Sequence, residues 1–385
     1  MNYTLLQNYI KFVRNGANIK QAKSCTAGLP ITRIETLANG VFNYDKLGYA
    51  SIFDDRYSDY YLQDGDVLLS HINSAKYIGR SVLYRQNSVE KIIHGMNLLC
   101  IRFIDGKYLP DFFVWYSKSK RAKMYFMENT KHAVNQASIT STAIKEMPVP
   151  EVDIATQNLI SNKLDLINNA IENKEKELLT LNELVKSRFI EMFESYFYNS
   201  KQPLSAVCDV RDGTHDSPEY FSTGIPLITS KNISSGYLDF SNVSYISEYD
   251  ARQINKRSRV DKNDILLPMI GTVGGAIIVN CEPEFCIKNV ALIKFGKTEV
   301  SNIFIREYLN SDIVKNYFEN VKNGGTQKFI SLGTIRNTPI PVPPIELQNE
   351  FAEFVKLIDK SKFIVQQQIK DLQELLDSKM DEYFR

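Results

Sequence analysis

The residues of this chain that are capable of chemistry are few, and their spacing argues against most kinds of it. Four histidines (His71, His94, His132 and His215) lack the helical spacing of a metal site, and a scattered histidine is usually a hydrogen-bonded structural residue. Five cysteines (Cys25, Cys100, Cys208, Cys281 and Cys286) form no Cys-x-x-Cys and no regular framework, so neither zinc nor disulfides are indicated. Cys281 and Cys286 are close enough in sequence to meet across a hairpin, with buried free thiols as the simpler reading. Gly296-Lys297-Thr298 resembles the end of a phosphate loop, but Ala291 stands where its first glycine belongs, after an apolar strand-like run. No Gly-x-Gly-x-x-Gly is present, so a dinucleotide fold has no fingerprint. The adenine-holding tetrapeptide of base methylases (Asn or Asp, Pro, Pro, aromatic) is also missing, because Pro343-Pro344 lies between Val342 and Ile345. These absences point to a binding protein without a catalytic site of its own.

Composition sets the frame in which such a protein must work. A chain of 385 residues, 43% hydrophobic, can build two cores. A net charge of +1 is low for a protein that grips a polyanion alone. Any positive surface must then be local, or a partner must supply it. Met1 to Gly16 has no signal-like apolar core and no run is long enough to span a bilayer, so the expected location is cytoplasmic, with no membrane.

The chain is written twice. Asn129 to Phe193 aligns without a gap on Asn320 to Phe384. About 18 of roughly 65 positions are identical, against a chance level near 6%, which indicates duplication. Matches include Gln136/Gln327, Ile139/Ile330, Ile144/Ile335, Pro148/Pro339, Pro150/Pro341, Gln157/Gln348, Asn158/Asn349, Leu184/Leu375 and Phe193/Phe384. A weaker echo precedes them: Val13-Arg14-Asn15-Gly16 answers Val210-Arg211-Asp212-Gly213, Gly28-Leu29-Pro30-Ile31 answers Gly224-Ile225-Pro226-Leu227, and Asp66-Val67-Leu68-Leu69 answers Asp264-Ile265-Leu266-Leu267.

The elements that must position any binding surface follow from this repeat. Each copy carries a Pro-x-Pro (Pro148-Val149-Pro150, Pro339-Ile340-Pro341) that should end a strand, then a long stretch free of Gly and Pro. Apolar residues recur there by four and three. They are Ile160, Leu164, Ile167, Ile171, Leu178, Leu181, Val185 and Met192 in the first copy, with Lys174 and Arg188 filling two slots. The second copy has Phe351, Val355, Ile358, Val365, Ile369, Leu372, Leu376 and Tyr383, interrupted by Lys362 and Lys379. Such a seam over about four heptads predicts a coiled coil, each helix about 60 Å long. Because each helix buries one stripe, the two should pack on each other, antiparallel if the remaining domains lie at opposite ends.

Those domains read as α+β. Short strand-like runs (Asp264 to Pro268, Ala276 to Asn280, Val290 to Phe295) alternate with turn glycines, and helices (Leu109 to Glu128, Ile303 to Val321) come late in each. The plan is therefore domain 1–147, helix 148–197, domain 198–338, helix 339–385, with an internal pseudo-two-fold repeat.

At this point the chain resembles the specificity subunits of type I restriction–modification systems, over essentially its whole length. The resemblance is carried by Gly324-Gly325-Thr326-Gln327, Ile330, Ile335, Pro339-Ile340-Pro341-Val342-Pro343-Pro344 and Glu346-Leu347-Gln348, with Arg211-Asp212-Gly213-Thr214-His215 and Gly224-Ile225-Pro226-Leu227-Ile228. The first copy departs from it, with Ala133-Val134-Asn135-Gln136 and Arg14-Asn15-Gly16-Ala17-Asn18 in the matching places. The resemblance implies two tandem target-recognition domains separated by two spacer helices, each domain reading one half of a bipartite double-stranded DNA target. It implies two modification (methyltransferase) subunits, carrying S-adenosylmethionine, that dock on the spacer helices and methylate an adenine in each half. Restriction subunits with ATP and Mg would join them, and no cofactor would bind this chain.

On that reading, polar loop residues would read base edges while Arg and Lys position on phosphates. The DNA-contact candidates are Arg14, Asn15, Arg33, His71, Asn73, Lys76, Lys131, Asn135 and Gln136 in the first domain. In the second they are Arg211, Thr214, His215, Lys231, Asn232, Thr272, Thr326, Gln327 and Lys328. Two basic runs, Lys118 to Lys123 and Arg252 to Arg259, read first as solvated faces and second as DNA flanks. Two other readings stay open: recognition subunit of a restriction system with a fused nuclease–methyltransferase partner, and a coiled-coil scaffold with no nucleic-acid role.

Overall fold

A computed structural model describes the chain apart from residues 1, 20–26, 88–89, 133–135, 199–200, 234–235, 271–274, 296–299 and 322–328, and the side chains of 38 and 39. It divides into two compact units, Met1–Glu175 with Gln367–Arg385, and Lys176–Gln366. The sequence boundaries fall at the Pro-x-Pro segments, whereas packing gives each unit half of each long helix.

The first unit is built on a four-stranded antiparallel sheet in the order Ile10–Asn15, Leu98–Phe103, Val67–Ser70, Ser81–Leu83. Its inner strands, Leu98–Phe103 and Val67–Ser70, are buried on both faces, which is why they read as largely apolar runs rather than alternating ones. Val67, Leu69, Leu99 and Ile101 pack towards Phe112, Phe113 and Tyr116, while Leu68, Leu98 and Cys100 pack towards Leu37, Val82, Tyr84 and Ile92. The second unit repeats the order with Asp209–Asp212, Val290–Lys294, Ile265–Pro268 and Ile277–Ile278. Ile265, Leu267, Ala291 and Ile293 face one core, and Leu266, Val290 and Leu292 face the other.

Each late helical stretch is broken in two, which the sequence reading did not foresee. The breaks separate Pro110–Ser117 from Lys120–Glu128, and Asn302–Asn310 from Asp312–Val321. Ser119 makes the first break by turning its hydroxyl to cap the new helix, accepting from the Ala122 N–H at 3.2 Å. At the second, the Ser311 hydroxyl donates to the Tyr308 carbonyl at 2.6 Å.

The Pro-x-Pro segments do not merely end strands; they are strands. Pro148–Pro150 pairs antiparallel with Tyr3–Leu5, and Pro339–Pro341 with Lys201–Pro203. Proline tolerates such an edge position, where its missing N–H costs no ladder bond. Tyr116 and Tyr308 donate their hydroxyls to the carbonyls of Pro148 (2.5 Å) and Pro339 (3.0 Å), tying each strand to the helix above.

The long helices run Ile154–Phe193 and Ile345–Phe384. In the first unit Ile160, Leu164 and Ile171 share a core with Leu376, Met380 and Phe384. In the second, Val185, Phe189 and Phe193 pack with Phe351 and Val355. Within each unit the start of one helix thus meets the end of the other, the antiparallel arrangement expected. Phe193 and Phe384 go further than the seam. Phe193 lies 4.8 Å, ring to ring, from Phe304, and Phe384 lies 5.5 Å from Phe112, so each helix ends inside a domain core.

Gln157 and Gln348, identical across the repeat, lock each helix start to its domain. Gln157 accepts the Leu109 N–H at 2.7 Å and donates to the Val152 carbonyl at 2.8 Å. Gln348 accepts the Ser301 N–H at 3.0 Å and donates to the Pro343 carbonyl at 2.8 Å. Cys281 and Cys286 are free thiols, Cys286 buried and donating towards the Ala251 carbonyl. Cys25 lies outside the described residues. Among the described residues no helix is long and apolar enough to cross a membrane.

Candidate nucleic-acid interface

Several of the described polar residues singled out by sequence gather at one end of each four-stranded sheet. In the second unit the first strand runs out through Asp212, Gly213, Thr214 and His215 and presses against the turn at 287–289. A Cβ at Gly213 would lie 2.2 Å from the Ile287 carbonyl oxygen, so only glycine permits the approach. The Thr214 N–H donates to the Ile287 carbonyl at 3.0 Å, and the Asn289 N–H donates to the Thr214 carbonyl at 3.1 Å. Asn289 makes the turn with a left-handed φ of 53°. The first unit repeats the device: Gly16 lies against Gly95, and Asn97, with φ 76°, directly precedes the central strand.

His215 is exposed, and both of its ring nitrogens are engaged. Its Nε2 faces the Asp212 carboxylate at 2.9 Å and its Nδ1 faces the Asn289 carboxamide oxygen at 2.8 Å. With an acceptor on each ring nitrogen, the doubly protonated imidazolium is favoured. The Asn289 and Asp212 bonds accordingly raise its pKa above the ordinary value, against desolvation. Arg257 holds the other Asp212 oxygen at 2.5 Å and reaches the Gly213 carbonyl. Lys288, beside Asn289, donates to Ser217 and Tyr220. Neither Arg257 nor Lys288 was among the sequence candidates, although Arg257 lies within the second basic run.

Other candidates are held within the fold. Arg211 forks onto Asp209 at 2.9 and 2.6 Å and donates to the Arg257 carbonyl. Asn232, 5% exposed, spends its carboxamide on Thr229 and on the carbonyls of Asp239 and Asn242. Arg14 lies on the rings of Phe12 and Tyr60 and donates to the Asp59 carbonyl. His71 is 7% exposed, and desolvation pushes its pKa down, so it is neutral and turned away from solvent. Asn232 and His71 are buried within the domain, whereas Arg14 and Arg211 each keep guanidinium N–H groups beyond these bonds. Thr214 is half-buried, its hydroxyl accepting the Asp216 N–H. Lys231 is exposed, and Arg33 is half-buried with its backbone N–H donating to Thr36.

A second cluster forms on a small ribbon in the first unit. Ile72–Asn73 pairs with Ala137–Ser138, which pairs with Lys131–His132. This brings Asn73, Lys131 and Gln136 together beside Lys76, with Lys131, Gln136 and Lys76 exposed. The matching join in the second unit is Ile270 against Phe329. Asn135, Thr272, Thr326, Gln327 and Lys328 lie outside the described residues.

At the opposite end of each sheet stands an ion pair on a buried carboxylate that sequence did not reveal. Asp66, its side chain 1% exposed, receives a two-pronged bond from Arg102, both at 2.7 Å. Asp264 receives Lys294 at 2.7 Å in the same place of the second unit. Both aspartates also accept the N–H three residues earlier, Gln63 and Asp261, fixing the turn into the strand.

A family model described as type I restriction modification DNA specificity domain matches residues 10–182 and again 201–374, two copies in the frame of the sequence repeat. The chain belongs to this family. The MjaX type I restriction enzyme specificity subunit of Methanocaldococcus jannaschii is 30% identical over 379 residues, covering 92% of this chain and 85% of that protein. The EcoBI specificity subunit of Escherichia coli is 25% identical over 231 residues, 60% of this chain and 43% of that one. The fold matches the S subunit of a type I restriction–modification system from M. genitalium with a TM-score of 0.57. That match covers 100% of this chain and 96% of that one at 13% identity. Specificity domains of this family recognise DNA.

Proposed function

We propose that this chain is the non-catalytic, sequence-reading subunit of a type I restriction–modification assembly, acting on a bipartite double-stranded DNA target, one half per recognition domain. The observation that carries the reading is the same platform built twice: a glycine-dependent strand end against an asparagine turn. A platform used twice suits a target with two halves, and side chains that differ between the copies suit halves of different sequence. Asn15, Arg33, Asn73, Lys76, Lys131 and Gln136 would meet one half; Thr214, His215, Lys231 and the newly recognised Lys288 would meet the other. Asn135, Thr272, Thr326, Gln327 and Lys328 stay in the proposal on sequence grounds.

Two modification subunits would dock on the long helices and supply S-adenosylmethionine-dependent adenine methylation. Restriction subunits would bring ATP and Mg, and the assembly would work in the cytoplasm. The test is to delete the gene in its source organism and map N6-methyladenine by single-molecule sequencing. Loss of one split motif, with an adenine modified in each half, is expected. An unchanged methylome in cells that express the assembly would overturn the reading.

A further inference from the structure

The first basic run, left over by the reading above, acquires a place in the fold. Lys118, Lys120 and Lys123 come from the break between the two helices of the first unit, and Lys76 and Arg80 from the loop after the small ribbon strand. With His132 they line an open concavity of about 1000 Å³. Lys120 pairs with Asp381 across its rim. Among the described residues no carboxylate pairs with Lys76, Arg80, Lys118 or Lys123. Instead Lys76 and Arg80 lie on the Tyr77 ring at 4.7 and 4.6 Å, and Lys118 on the Trp115 ring at 4.3 Å. Cations held on aromatic faces keep their charge available to an anion. Lys118 is exposed at the surface yet crowded by surrounding protein, whose desolvation pulls its pKa down. Asp165 and Glu172 oppose that shift and Lys123 adds to it. An anion in the concavity would relieve both penalties.

Among the described residues the second unit shows no such cluster. Its matching helix break, marked by Tyr308 in the role of Tyr116, carries Asn310, Ser311, Asp312 and Lys315. Asn310 binds the backbone of 275 and 276, and Lys315 pairs with Asp312 at 3.3 Å. A partner that meets both halves alike would find this surface in one only. The concavity also runs into the ribbon: His132 lines it, and Lys131 beside it is a proposed DNA contact.

We propose that the concavity holds the phosphodiester backbone of double-stranded DNA flanking the half-target read by the first domain, a sequence-independent clamp with no counterpart among the described residues of the second. This rests on the DNA-reading function proposed above. The experiment uses the chain assembled with its modification subunits, titrated by fluorescence anisotropy with a target duplex and a non-target duplex over a salt series. The variant combines Arg80→Ala, Lys118→Ala and Lys123→Ala, with Arg80→Lys, Lys118→Arg and Lys123→Arg as the charge-keeping control. With about 0.9 of slope per phosphate contact, the plot of log K against log salt should flatten by about 2.7. Both duplexes should weaken alike, discrimination should persist, and the control should keep the slope. An unchanged slope overturns the proposal. Loss of modification-subunit binding overturns it too, assigning the surface to an acidic protein face. A wild-type assembly that cannot tell the duplexes apart overturns the DNA-reading function itself, a result distinct from either.

Discussion

Replacing Gln157 by leucine removes both hydrogen bonds of a fully buried carboxamide while roughly keeping its volume. The Leu109 N–H (2.7 Å) and the Val152 carbonyl (2.8 Å) are left without their partner, one at the start of a domain helix and the other at the start of the long helix. An unsatisfied buried group costs about 1–3 kcal/mol, and the apolar replacement recovers part of it by packing. A net loss of about 2–4 kcal/mol follows, equivalent to roughly 30- to 1,000-fold in an opening equilibrium. The measurement is hydrogen exchange of the Pro110–Ser117 helix in the assembled complex, with urea unfolding where the chain is soluble alone. Gln348→Leu should do the same to the Asn302–Asn310 helix through the Ser301 N–H. Protection unchanged within threefold in both variants would refute the claim that these glutamines were kept by the repeat to hold helix to domain.

Three further outcomes are expected. Asp66→Ala strands the Arg102 guanidinium at the far end of the first sheet and should destabilise by about 3–5 kcal/mol, read as a shift of the urea midpoint; a change below 1 kcal/mol would mean the pair is solvated. His215 has a raised pKa, so its stabilising charge is fully present below the ordinary value of 6.5 and is lost as pH rises through the raised value. DNA affinity of the assembly should therefore fall with rising pH in that window, and His215→Gln should flatten the profile; a wild-type profile that is already flat would exclude the imidazolium. Phe384→Ala and Phe193→Ala each open a cavity where a helix end enters a domain core and should cost about 3–5 kcal/mol in thermal or urea unfolding, whereas near-neutral variants would show that the helix ends are not anchored.

The sequence by itself determined the duplication and the two long helices, because period and repeat are local properties that survive without knowledge of contacts; their antiparallel pairing depended on where the domains lie. The α+β character and the order of strands before helices were legible for the same reason. The seam was legible in its outline, although Phe189, Phe193, Met380 and Phe384 were not counted in it, since their burial comes from domain cores rather than from the heptad. What only tertiary structure decided is which polar residues are free to act. Asn232 and His71 stood among the contact candidates and are buried in their domains, while Arg211 is held on Asp209. Asp66 meets Arg102 36 residues away, and Asp264 meets Lys294 30 residues away. Sheet register makes those meetings, and no pattern within either segment announces them. The basic run at 118–123 was visible from the start, but its concavity is not. That depends on a loop some 40 residues earlier folding back to place Lys76 and Arg80 beside it, a consequence of packing that the one-dimensional spacing of charges does not encode.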